Sequence, residues 1–299
     1  MALLQMSYLS KALFRTVPVQ VILPADMISM DGLEYRMKEG EKFKTLYLLH
    51  GLIGNYTDWV TNTRIQRWAE EKNLAVVMPS GDNAFYVDSD RPNNNYGVFV
   101  GEELVDVTRR MFPLSGRRED TFIAGLSMGG FGAVRNGLRY SETFSRVAAL
   151  SPALHIFENE DPDPVRYAAF GDLKEAKKTD KNPRVALENL IREGRTMPGF
   201  YISCGLDDDL LPYSRIYRDL LREKGADVVY TEEEGAHEWD FWDRHIKRVL
   251  EWLPLGAGDA GLGSGTVKIE TANGYTAEHT RQGDCRGCVY GGDPEEYLY

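Results

Sequence analysis

Ser127 stands in the segment "GLSMGGFGAV" (residues 125–134), between Gly125 and Gly129 and directly after the apolar run "DTFIA". A serine hydroxyl attacks a carbonyl carbon only when a neighbouring base takes its proton, and a sharp turn free of bulky flanking side chains must project it. Five histidines could supply the base: His50, His155, His237, His245 and His279. A carboxylate must then orient the imidazole, and Asp207, Asp208 and Asp209 in "CGLDDDLLPYSR" are the candidates, of which the spacing alone does not choose one. The chemistry these residue types support is covalent acyl transfer. A dinucleotide fingerprint and a phosphate-binding Gly-Lys-Ser/Thr loop are both absent from the chain.

The elements that must position these groups are legible as eight short apolar runs bounded by turn signals: "ALLQMSYL", "VPVQVILP", "FKTLYLLHG", "LAVVMPSG", "DTFIAGLS", "RVAALSPAL", "GFYISCG" and "DVVYTEEE". Amphipathic stretches of helical length follow the third, fourth, fifth, seventh and eighth runs. Strand and helix in alternation predict a mostly parallel sheet with helices on both faces and a hairpin-like pair of strands at the start. Residues 154–198 interrupt the alternation with "FENEDPDP" and two short helical patterns, and are expected to form a cap-like insertion between strands 6 and 7. The expected organisation is one domain over residues 1–255, then a Gly-rich linker and tail over 256–299.

In a parallel α/β sheet the loops after the strands' C-terminal ends converge on one edge. His50, after the third strand, and His237, in "EEEGAHEWDFW" after the last, can both reach Ser127 there. The loop "HGLIGN" is better placed to offer a backbone donor, so Leu52 and Met128 N–H are the expected oxyanion hole and His50 a structural residue. The chain order serine, aspartate, His237 is that of α/β-hydrolases and differs from those of chymotrypsin and subtilisin. Aromatic residues near these motifs, Trp59, Phe85, Tyr86, Tyr96 and Trp239, are candidate substrate-pocket walls.

The remaining composition excludes more than it assigns. With a formal net charge of −11 the chain lacks the basic clusters that nucleic-acid binding requires. No run approaches the roughly 20 apolar residues of a membrane span, and the start "MALLQMSYLSKALFRTV" has no signal-peptide pattern, so a cytoplasmic location is expected. Cys204, Cys285 and Cys288 make no disulfide framework. In the tail, "TVKIET" reads as a strand, while His279, Cys285 and Cys288 are one ligand short of a closed zinc site, so neither metal nor cofactor is expected. Homo-oligomer formation is left open.

Taken together, "LLHGLIGNYTDW", "VVMPSGDNAFYVD", "EELVDVTRRMFPLS", "GLSMGGFGAV", "SCGLDDDLL" and "GAHEWDFW" resemble the esterase D family of α/β-hydrolases over roughly residues 5 to 254, and most of all its small bacterial tributyrin and acetyl esterases. The resemblance implies Ser127 as nucleophile, His237 as base, Asp208 as acid, and Leu52 and Met128 as oxyanion donors. It implies a serine carboxylesterase acting on short-chain acyl esters of small molecules. Feruloyl or carbohydrate acyl esterase, S-formylglutathione-type thioesterase and acyltransferase are alternatives on the same three residues, and a hydrolase-fold binding protein is the alternative without catalysis. S-formylglutathione hydrolases typically carry a second histidine just after the nucleophile's glycines, where this chain has Phe131.

Overall fold

The computed structural model describes residues 1–27, 37, 40–158, 164–255, 266–270 and 276–280. Eight strands form one sheet: β1 (Ala2–Ser10), β2 (Arg15–Leu23), β3 (Thr45–Leu49), β4 (Ala75–Pro79), β5 (Thr121–Leu126), β6 (Arg146–Leu150), β7 (Gly199–Gly205) and β8 (Val228–Glu233). Their order is β1-β2-β4-β3-β5-β6-β7-β8. β2 runs antiparallel to β1 and β4, and every other neighbouring pair is parallel. The eight apolar runs of the sequence are these eight strands.

The central strands are buried at nearly every position because both faces of the sheet are covered. Alternate side chains go to opposite layers: Tyr47, Leu49, Val77 and Ile123 to one, Leu46, Leu48, Val76 and Phe122 to the other. The first layer is closed by α3 (Leu104–Met111), α4 (Met128–Arg139), α7 (Pro183–Arg192) and α8 (Leu211–Glu223). The second is closed by α1 (Asp58–Asn62), α2 (Ile65–Glu71) and α9 (Trp239–Trp252). Tyr96–Glu103, ahead of α3, winds through a wide π-helical turn at Phe99–Glu103, where the Tyr140 ring occupies the space a side chain on Gly101 would need.

The insertion divides in two. It carries α5 (Pro164–Phe170), α6 (Leu173–Ala176) and α7, of which α5 was not read from the sequence. α7 starts with Asn182 accepting the Arg184 N–H at 3.0 Å and Pro183 at its first position, a strong helix start. Its Ala186, Leu187 and Leu190 are buried in the same layer as α4, so this half is part of the covering layer and not a lid. Arg135 of α4, 1% exposed, fastens the insertion by bonding the Asp180 carbonyl at 3.0 Å and pairing with its carboxylate at 3.4 Å.

In the tail, β9 (Thr266–Glu270) covers the first five residues of the run expected as a strand and pairs antiparallel with β10 (Thr276–Thr280). Cys285 and Cys288 lie outside the described residues. Among the described residues no helix is long and apolar enough to cross a membrane.

Candidate active site

β5 ends in Leu126 and α4 begins at Met128, so Ser127 alone makes the turn, with φ 52°. A positive φ in a non-glycine residue is strained, and surrounding contacts must hold it. Here the Ser127 N–H donates to the Leu150 carbonyl at 2.9 Å, and its carbonyl accepts the Phe131 and Ala153 N–H groups at 3.0 Å each. The flanking glycines let the chain close up: a Cβ on Gly125 would strike the Gly129 carbonyl, and one on Gly129 would strike the carbonyl oxygens of Leu49 and His50. Glycine is required at both positions because backbone, not a movable side chain, fills the space.

The loops after β7 and β8 bring two further groups to this turn. His237 Nε2 lies 3.0 Å from Ser127 Oγ, and His237 Nδ1 lies 2.9 Å from Asp208 Oδ2. The network assigns the imidazole tautomer: Nδ1–H donates to the carboxylate, leaving Nε2 to accept from the serine hydroxyl. Asp208 is buried, whereas Asp207 and Asp209 are exposed. Its other oxygen accepts the Leu210 N–H at 2.9 Å. Burial pushes the Asp208 carboxyl up, but hydrogen bonds from His237, the Leu210 N–H and Ser151 outweigh it and hold the group below the usual range.

Ser151, after β6, was not singled out in the sequence. It is fully buried with φ 44°, and its N–H donates to the Ser203 carbonyl at 2.7 Å. Its Oγ accepts the Trp242 indole N–H at 3.2 Å while the hydroxyl bonds Asp208. Trp242 also sets its ring edge-on to His237, with centroids 4.9 Å apart. The run Trp242–Ser151–Asp208–His237–Ser127 is therefore continuous. The only hint of Ser151 in the sequence was its place at the C-terminal end of a central strand.

Comparison with known proteins gives the family. The Esterase family model, described as "Putative esterase", matches residues 10–253. The chain belongs to that esterase family. An acetyl esterase from Caldicellulosiruptor saccharolyticus is 41% identical over 263 residues, spanning 85% of this chain and 98% of the relative. Among solved structures, the fluorophosphonate-binding serine hydrolase FphF of Staphylococcus aureus matches at TM-score 0.75 and 30% identity, over 84% of this chain and 98% of that one. The S-formylglutathione hydrolase FrmB of the same organism matches at TM-score 0.73 and 30% identity, with the same coverage. The esterase is a carboxylic ester hydrolase with the α/β-hydrolase fold.

Ser127 and His237 open onto a cleft of about 590 Å³. Leu52 and Met128 line it beside them, and neither backbone N–H has an acceptor among the described residues. His50 stays out of the cleft, 1% exposed, with Nδ1 2.7 Å from the Gly51 carbonyl and Nε2 accepting the Gly81 N–H at 2.8 Å. Burial lowers its pKa, so it is neutral and ties the loop carrying Leu52 to the loop after β4. Cys204 is buried behind the site, and burial pushes its thiol up to about 12.

Most of the aromatic candidates are held away from this cleft. Trp59 is buried, donating its indole N–H to the Leu49 carbonyl at 3.0 Å. Tyr86 is buried with its hydroxyl on the His50 carbonyl at 3.0 Å. Tyr96 bonds Asp82 and Arg15, and Trp239 packs edge-on against Trp59 and Trp242. None of the four lines the cleft; each ring is anchored elsewhere by its own polar tip or by another ring. Of the aromatic candidates only Phe85 reaches it, and the insertion adds His155, Ile156, Val165 and Arg166. His155, one of the five histidines of the sequence, lines the cleft as well, and burial, then Arg166 and His237, lower its pKa.

Proposed function

We propose that this esterase hydrolyses short-chain acyl esters, acetyl to butyryl, through an acyl-enzyme on Ser127. The observation that carries the reading is the unbroken relay at 3.0 and 2.9 Å from Ser127 through His237 to a buried Asp208. Ser127 Oγ bonds to the ester carbonyl carbon as its proton passes to His237 Nε2, and Asp208 stabilises the imidazolium. The oxyanion is met by the Leu52 and Met128 N–H groups, donors fixed before the reaction begins. Collapse breaks the bond to the leaving oxygen, which takes the proton from His237. Water, deprotonated by the same imidazole, then adds to the acyl carbon and releases Ser127. The acetyl esterase at 41% identity supports the choice of short acyl groups.

The cleft, about 590 Å³ and walled by Phe85, Met128, Ile156 and Val165, favours one second reading, an aromatic acyl group of feruloyl type. A panel of acetyl, butyryl, octanoyl and feruloyl esters and S-formylglutathione, each with and without an acceptor alcohol, separates the possibilities. The expected result is the highest kcat/KM for the acetyl and butyryl esters, with free acid as product. Preference for the feruloyl ester or the thioester, or transfer to the alcohol as the main reaction, would overturn it.

A further inference from the structure

β1 is an edge strand whose outer edge carries none of the usual protections. It spans nine residues, "ALLQMSYLS", and contains no charge and no proline, the devices that normally keep sheet edges from pairing. Leu4, Met6 and Tyr8 pack partly against the core, while on the opposite face Leu3 and Leu9 are 41% and 70% exposed. β2 takes one edge of β1, and no described residue pairs with the other. An uncharged, proline-free edge with exposed leucines near both ends is a template for a further strand.

We propose that the outer edge of β1 pairs antiparallel with β1 of a second copy, about a two-fold axis at Met6. The sequence is self-complementary in that register. Met6 faces Met6, Gln5 faces Ser7, Leu4 faces Tyr8, and Leu3 faces Leu9, so apolar meets apolar on both faces and polar meets polar. Each opposed pair lies on one face of the sheet, as an isologous two-fold contact requires. The chain's net charge of −11 repels a second copy in general, but this stretch contributes none of it.

The test is the mass in solution of the full chain and two double variants by sedimentation at micromolar concentration, with ester hydrolysis as the check on folding. Leu3 and Leu9 are exposed in the single chain and far from the relay, so both variants keep full activity. The wild type sediments as a dimer. Leu3→Lys/Leu9→Lys sets like charges opposite each other twice and sediments as a monomer. Leu3→Lys/Leu9→Glu sets opposite charges facing in the same register and remains dimeric. A monomeric wild type overturns the proposal, as does a dimeric double-lysine variant. So does a Lys/Glu variant as dissociated as the double-lysine one, because that outcome contradicts the register.

Discussion

Asp208 accepts two hydrogen bonds from outside the relay, from Ser151 and from the Leu210 N–H, the latter on Oδ1, which leaves Oδ2 to face His237. Replacing Asp208 by Asn presents the wrong hydrogen-bonding pattern to Nδ1, and kcat should fall by about 10³- to 10⁴-fold with KM little changed. Ser151→Ala removes a donor that draws charge from the carboxylate. Asp208 then binds the imidazolium more strongly, and the acid limb of kcat/KM should move to higher pH, whereas a loss of fold would lower the whole profile without moving it. Asp208 could be read from sequence only to within three adjacent aspartates. The resemblance chose one, and physically it is the buried one. The placement of the aromatic rings was not legible, because nearness to a motif in sequence does not say which way a ring turns: Tyr86 and Trp59 direct their polar tips to backbone carbonyls inside the core.

At the scale of elements, the turn from β5 to α4 is where backbone strain and close packing coincide. Gly129→Ala would drive a methyl into two carbonyl oxygens of the β3 end, and the overpacking should cost about 1–3 kcal/mol with loss of activity, read by urea unfolding and ester turnover. α9 carries a different liability. His245 is fully buried against Phe241 and bonds Glu233 at 2.9 Å, yet burial lowers its pKa from 6.5 to about 4. The unfolded chain therefore binds a proton near pH 6.5 that the folded chain refuses until about 4, so this group's contribution is complete above pH 6.5 and is lost as pH falls toward 4. Urea midpoints across that window should drop less steeply for His245→Asn than for the wild type; equal slopes would show that His245 is not the group responsible. The strands were legible because full burial on both faces writes uninterrupted apolar runs. α5 was not, because the prolines of "DPDPVRYAAF" read as breakers although Pro164 opens the helix.

For the whole molecule, the strand order places the C-terminal ends of β3, β5, β6, β7 and β8 along one edge, and the residues of the site come from the loops that leave it. Ile53, Asp82, Phe85, Tyr86, Ser127 and Ser151, all with positive φ, lie in loops at that edge, so strain is gathered where the chemistry is proposed. Strand–helix alternation and the order of Ser127, aspartate and His237 already implied such an edge, since the loops after parallel strands converge on one side of the sheet. What the sequence did not reveal is how the insertion divides, because the burial of α7 against α4 depends on a tertiary contact that no local pattern encodes. The central claim is that Ser127 is the nucleophile, and a fluorophosphonate probe followed by peptide mass analysis tests it directly. The native protein should carry one phosphonyl group, on the peptide containing Ser127, with hydrolysis lost in proportion and no labelling of Ser127→Ala. An unlabelled active protein, or a label that persists on Ser127→Ala, would contradict the account.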